Sequence, residues 1–154
     1  VLGVIYAPES DLLYWAVRGH GAFKEANGES RPISAIHHEH DQPDSLVVAI
    51  SRRQKLENLT RRLNPAIHYE LIPLGSSSLK SCLVAEGVAD CYVRLGPTGE
   101  WDTAAAQCIV EAAGGRILSL ALQPLSYNET ESLENPDFIV MGDPDLAWGR
   151  ILAH

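Results

Sequence analysis

Asp102 lies in the run Gly99-Glu100-Trp101-Asp102-Thr103-Ala104-Ala105-Ala106, which continues to Glu111-Ala112-Ala113-Gly114-Gly115. This pattern predicts a loop that hands one carboxylate to the first turn of a helix. Thr103 through Ala113 holds good helix formers. Gly114-Gly115 then ends the helix, because glycine reaches the left-handed C-terminal conformation without a steric penalty. A carboxylate at the helix start has two uses. It accepts hydrogen bonds from the free N–H groups of the first turn, or it holds a cation.

Two further stretches suit an anion. Gly75-Ser76-Ser77-Ser78 is a Gly/Ser-rich helix entry, which offers backbone N–H groups and hydroxyls to a phosphate. Lys80 adds a full positive charge in the first turn, where a cation is unfavourable for the helix alone. An anion would offset it. The plainer alternative is serine capping with a solvated lysine. Ser51-Arg52-Arg53-Gln54 follows the apolar run Leu46–Ile50, and a strand, polar tip and helix in succession is where open α/β sheets bind ligands. Ser51 serves equally as a helix cap. Arg94 can pair with a phosphate bidentately or take part in a structural ion pair.

These residues need a frame. Val1–Ala7 and Leu12–Val17 predict a β-hairpin around Glu9-Ser10-Asp11. Gly19-His20-Gly21 is a second turn into an extended Ala22-Phe23, and Asn27-Gly28 is a strong turn pair. Leu46–Ile50 predicts a strand compatible with burial on both faces. Arg52 to Leu63 predicts a helix with Leu56, Leu59 and Leu63 on one stripe, stopped by Asn64-Pro65. Ile67–Pro73 predicts a strand, Gly75 to about Glu86 a helix, and 88–95 another strand. Trp101 is expected to pack and fix the helix entry. After Gly115 come a strand at 116–120, a polar loop over 123–135 and a last strand at 138–142. Asp143-Pro144 is expected to cap a short helix toward Leu152.

The 154 residues suit one domain by length, with 45% hydrophobic and 21% charged residues. The net charge of −8 argues against a binder of nucleic-acid polymers. It leaves room for a small anion held by local cations. Cys82, Cys91 and Cys108 form no Cys-x-x-Cys pair and suit buried thiols in a reducing compartment. No apolar run is long enough to span a bilayer. His37-His38-Glu39-His40-Asp41 can bind a metal adventitiously, but without a helix or strand period it suits an exposed linker.

Trp101-Asp102-Thr103-Ala104-Ala105, the apolar helix and Ala113-Gly114-Gly115 resemble the C-terminal signature of the inositol monophosphatase superfamily. Gly75 through Gly87, Arg94-Leu95-Gly96-Pro97-Thr98 and Gly19-His20-Gly21-Ala22-Phe23 resemble its CysQ branch, the 3′(2′),5′-bisphosphate nucleotidases. The resemblance covers essentially the whole chain. It implies an α/β fold, the C-terminal part of a layered αβαβα sandwich. Residues 1–45 would complete an N-terminal α+β domain and residues 46–154 would form the C-terminal α/β domain.

The implied activity is Mg²⁺-dependent removal of the 3′-phosphate of 3′-phosphoadenosine 5′-phosphate, leaving AMP. Asp102 would be a metal ligand. Ser51, Gly75, Ser76, Ser77, Lys80, Arg94 and Asp102 would contact substrate. Position 54 departs from the branch, with Gln54 where a His is usual. The superfamily's Asp-Pro-Ile/Leu-Asp-Gly-Thr motif does not occur in this sequence and is expected upstream of Val1. The catalytic set is therefore incomplete here, and the chain alone is expected to be inactive without that segment as its partner. An inositol monophosphatase, a sugar bisphosphatase and a non-catalytic anion-binding domain remain alternatives. The resemblance implies a cytoplasmic location, with peripheral attachment to the inner membrane as a variant, and leaves the oligomeric state open.

Overall fold

The computed structural model describes residues 1–36 and 43–152. The histidine-rich segment 37–41 lies outside the described residues.

The first four strands, β1 (Leu2–Ala7), β2 (Leu12–Val17), β3 (Ala22–Ala26) and β4 (Glu29–Ile33), form an antiparallel meander in chain order. Its tight turns follow from local chemistry. Asn27 and Gly28 both take positive φ, 53° and 76°, as a two-residue hairpin loop requires.

A second sheet holds β5 (Ser45–Ser51), β6 (His68–Leu74), β7 (Cys91–Arg94), β9 (Arg116–Ser119) and β11 (Phe138–Met141), in the order β6-β5-β7-β11-β9. β5 runs parallel to β6 and β7, whereas β11 is antiparallel to both of its neighbours. The C-terminal ends of β5, β6 and β7 therefore share one edge. The two-residue strands β8 (Thr98–Gly99) and β10 (Glu134–Asn135) make a small antiparallel ribbon. The polar stretch expected to be loop over 123–135 thus ends in a strand.

Among the described residues there are four α-helices: α1 (Leu56–Thr60), α2 (Ser77–Ala85), α3 (Ala104–Ala112) and α4 (Trp148–Ile151). Two apolar cores stack them into layers. Tyr14, Ala16 and Ala22 of the meander meet Val84 and Ala85 of α2, Ile109 and Val110 of α3, and Tyr92, Phe138 and Val140 of the larger sheet. The opposite face of that sheet, with Val48, Val93 and Ile139, packs on Leu59 of α1 and on Trp148 and Ile151 of α4. The layers run sheet, helices, sheet, helices. Residues alternate between the two cores along β7 and β11, as the two-residue period of a strand dictates.

Close approach holds the layers together. A Cβ on Gly3 of β1 would sit 2.7 Å from the Ala105 carbonyl oxygen and 2.8 Å from Cys108 Cβ of α3. Glu86, the cap residue of α2, is nearly buried and accepts hydrogen bonds from Tyr14 Oη at 2.7 Å, Lys24 Nζ at 2.8 Å and Arg31 Nη2 at 3.3 Å. Burial and this carboxylate push the Tyr14 hydroxyl pKa well up.

The outer face of the meander is apolar. Leu2, Val4 and Tyr6 are 64%, 49% and 55% exposed, and they lie opposite Val17, Trp15 and Leu13. Trp15 stacks on Phe23 with ring centroids 4.4 Å apart. None of these residues belongs to either core.

Several expectations are corrected. The helix expected over 52–63 is only Leu56–Thr60, because Ser51–Gln54 folds into a turn. Leu56 is exposed rather than part of a buried stripe. The strand expected over 88–95 begins at Cys91, after Gly87 turns the chain with φ 80°. Asp143 Oδ1 accepts from Asp145 N within a turn, and the last helix starts only at Trp148. Cys82 and Cys91 are buried, and burial raises both thiol pKa values, but Cys108 is half-buried. Among the described residues, no helix is long and apolar enough to cross a membrane.

Candidate ligand cleft and the Asp102 loop

A cleft of about 820 Å³ opens where β5, β6 and β7 end. Its lining includes Ser51, Arg52, Arg53, Gln54, Lys55, Gly75 and Arg94, with four cations and no carboxylate among the described residues. The fold builds it from one turn. Gln54 N donates to the Ser51 carbonyl at 3.1 Å, and Arg53 N donates to Ser51 Oγ at 3.3 Å. Ser51 therefore stabilises this turn and does not cap α1, whose N-cap residue is Lys55. The turn projects its cations at the strand ends.

Two donors in this cleft stand out. Gln54 Nε2 and Arg94 Nε are both buried and have no hydrogen-bond partner among the described residues. Leaving a buried donor unsatisfied costs about 1–3 kcal/mol, more for a charged group. An acceptor entering the cleft would remove that cost. Net charge conceals this site, since Arg52, Arg53 and Lys55 cluster in an otherwise acidic chain. That local cluster was the available sequence signal for Arg53 and Lys55.

The Gly/Ser-rich entry stands behind the cleft. Ser76 caps α2, its Oγ accepting from Leu79 N at 3.2 Å. Ser77 Oγ accepts from the Tyr92 hydroxyl at 3.1 Å. Lys80 is 1% exposed, and its Nζ donates to the Leu74 carbonyl at 3.0 Å and lies 5.0 Å from the centre of the Tyr92 ring. The carbonyl and ring offset the charge that the sequence left without a partner. Burial lowers the Lys80 pKa to about 8, helped by the nearby Arg94 charge. Of the sequence-derived residues, the cleft lining gathers Ser51, Gly75 and Arg94. Ser76, Ser77, Lys80 and Asp102 lie outside that lining.

Asp102 ends a 3-10 turn, Glu100–Asp102, and Thr103 is the N-cap residue of α3. Its Oδ2 accepts from Gly99 N at 2.9 Å. The carboxylate thus bonds backward into its own loop and does not cap the helix. Its Oδ1 has no hydrogen-bond partner among the described residues. One oxygen is fixed and the other is open, which suits one ligand of a hard cation. It is one ligand only. Among the described residues no three His, Cys, Asp or Glu side chains gather as a metal site. Trp101 is 72% exposed, contrary to the packing role expected for it. Its indole lies against Gly99, where a Cβ would come within 2.3 Å of the ring.

The inositol monophosphatase family model matches residues 1–144, and the chain belongs to that family. It is 42% identical over 151 residues to the 3′(2′),5′-bisphosphate nucleotidase CysQ of Aggregatibacter actinomycetemcomitans, covering 98% of this chain and 55% of that protein. It is 40% identical over 152 residues to the Haemophilus influenzae protein of the same name, again covering 98% and 55%. The chain thus spans about half the length of these curated relatives. The crystal structure of CysQ from Bacteroides thetaiotaomicron superposes with a TM-score of 0.74 at 36% identity, covering 92% of this chain and 58% of that one. Mycobacterium tuberculosis SuhB, at 23% identity and a TM-score of 0.70, shares the fold.

Proposed function

We propose that this chain is the substrate-holding part of a metal-dependent phosphatase that removes the 3′-phosphate of 3′-phosphoadenosine 5′-phosphate. The observation that carries the reading is the cationic cleft with its two unpartnered buried donors, Gln54 Nε2 and Arg94 Nε. The similarity to nucleotidases named CysQ supports the choice of substrate over an inositol or sugar phosphate.

In this reading Ser51, Gly75, Gln54 and Arg94 contact the nucleotide's phosphate directly. Arg52, Arg53 and Lys55 neutralise its charge and draw it in. Ser76, Ser77 and Lys80 form the wall behind, holding Leu74 and Tyr92 in place. Asp102 offers its open oxygen to Mg²⁺. When bound, such an ion would supply Lewis-acid stabilisation of the phosphoryl charge and activation of the attacking water. The remaining metal ligands come from the portion of the relatives' length outside this chain. In the same reading, residues 1–45 would complete the N-terminal α+β domain and residues 46–154 would be the C-terminal α/β domain. The protein acts on a small nucleotide without polymer partners. A cytoplasmic setting accords with the free thiols.

The test is hydrolysis of 3′-phosphoadenosine 5′-phosphate by the protein at its natural full length, with and without Mg²⁺. Release of phosphate that needs Mg²⁺ and falls at least about 100-fold in Asp102→Asn supports the reading. Tight binding without turnover would favour a non-catalytic anion-binding domain. Preference for inositol 1-phosphate would overturn the substrate assignment.

A further inference from the structure

The loop that carries Asp102 is held by a side chain that the reaction chemistry does not call for. Asn135 on β10 is 7% exposed, 32 residues beyond Thr103 in the chain. Its Nδ2 donates to the Gly99 carbonyl at 2.9 Å, to Thr103 Oγ1 at 3.1 Å and to Thr98 Oγ1 at 3.3 Å. Thr98 and Gly99 precede Asp102, and Thr103 follows it. One amide therefore grips the loop on both sides of the carboxylate.

The surrounding contacts reinforce this grip. β10 pairs Asn135 with Thr98 and Glu134 with Gly99. Glu100 N donates to the Leu133 carbonyl at 2.8 Å, and Asn128 N donates to Glu100 Oε2 at 2.8 Å. The Tyr127 hydroxyl lies 3.1 Å from Thr103 Oγ1 and also bonds Gln107 Oε1. Thr103 Oγ1 in turn donates to the Glu100 carbonyl at 3.2 Å. The segment 127–135 thus wraps the entry to α3, and Asn135 is its buried centre.

The geometry points to Asn135 as a positioning residue whose buried amide sets the direction of the Asp102 carboxylate. Gly99 is the link, since its carbonyl is held by Asn135 and its N–H holds Asp102 Oδ2. Loss of the amide frees Gly99, and the carboxylate loses the donor that fixes one of its oxygens. The inference rests on the reading of Asp102 as a cation ligand.

The experiment compares wild type with Asn135→Asp and Asn135→Ala in the natural full-length protein. Asn135→Asp keeps the shape but turns a carboxylate oxygen toward the Gly99 carbonyl. Hydrogen exchange is read at the Gly99 amide and, in the same sample, at Val93 and Val140 in the core. The expected result is exchange at Gly99 about tenfold faster or more, with the core amides unchanged. Mg²⁺ titration followed by the same amide resonances should show about tenfold weaker binding. Affinity for 3′-phosphoadenosine 5′-phosphate without metal should change less than about twofold, because none of the residues that Asn135 bonds lines the cleft. Unchanged Gly99 exchange would overturn the proposal. So would equal acceleration of Gly99 and the core amides, which is the mark of a general structural role. Faster Gly99 exchange with unaltered Mg²⁺ affinity would support the clamp and remove Asp102 from the metal site instead.

Discussion

The Glu86 carboxylate and the Lys24 ammonium meet at 2.8 Å across the seam between α2 and the four-stranded sheet. Arg31 joins them at 3.3 Å. A carboxylate at a helix C-terminus is unfavourable for the helix by itself, so these cations offset the helix as well as the charge. Glu86→Ala leaves Lys24 without its partner in a largely dry position. The expected loss is about 3–5 kcal/mol of stability, the range for breaking a buried pair. Glu86→Gln keeps an acceptor for Tyr14 and should lose less. Urea unfolding of both variants checks the order, and equal stability to wild type would contradict it.

The cleft makes a prediction about position 54. Arg94→Ala should weaken binding of 3′-phosphoadenosine 5′-phosphate by about 10–100-fold, the worth of a charged hydrogen bond. Gln54→Ala should weaken it by about 3–10-fold. Glutamine does not titrate, so its contribution is flat between pH 5 and 8. Gln54→His adds a positive charge below about pH 6.5. Its affinity should therefore rise as the pH falls through that value, relative to wild type. Calorimetric titration at several pH values decides this.

Lys80 gives a pH dependence of known sign. Its folded-state pKa is about 8, below the ordinary 10.5, chiefly because of burial. Between these values the unfolded chain binds more protons than the folded one. The Lys80 contribution to stability therefore rises with pH across that window, and the penalty is fully present below pH 8. Its size is about 3 kcal/mol. The thiols of Cys82 and Cys91, raised by burial, act in the opposite direction. Comparison with Lys80→Met cancels them. The stability difference between variant and wild type should shift by about 3 kcal/mol in favour of wild type from pH 7 to pH 10.5. A constant difference would show that Lys80 does not titrate there.

The outer face of the meander predicts how the 154-residue chain behaves by itself. Leu2, Val4 and Tyr6 stand exposed along β1, an edge strand of the sheet. Apolar faces of this kind mark interaction sites or associate. The chain alone should bind a fluorescent apolar dye and self-associate, and Val4→Lys should reduce both. It should also hydrolyse the nucleotide hardly at all until the remaining part of the relatives' length is supplied. Full activity of the chain alone would refute the proposed sharing of metal ligands.

Most of the longer strands were legible because their signals are local, whereas β4, β8 and β10 were not read as strands. Asn27-Gly28 marks a hairpin, and Leu46–Ile50 is an uninterrupted apolar run. The family resemblance rests on short contiguous motifs and was equally readable. The features that escaped depend on distant partners. Leu56 fits the helical stripe by spacing, yet the Ser51–Gln54 turn takes the residues that would have begun that helix. Asp102 looks like an N-cap because it precedes an Ala-rich helix, but Gly99 N–H competes for it successfully. Lys80 reads as an anion contact because neither the Leu74 carbonyl nor the Tyr92 ring is visible in its neighbourhood of the sequence. Asn135 carries no sequence signal, since its three acceptors lie more than thirty residues upstream.

The strand order also bears on synthesis. β11 lies between β7 and β9 although it follows both of them in the sequence. On the ribosome, β7 and β9 emerge before the strand that joins them, and each must wait with an open edge. Unpaired edges of growing chains invite association. The sheet that carries the cleft therefore closes late, when β11 joins β9 to β7. A nascent chain halted before Phe138 would hold every cleft-lining residue and yet lack the strand that seals their support.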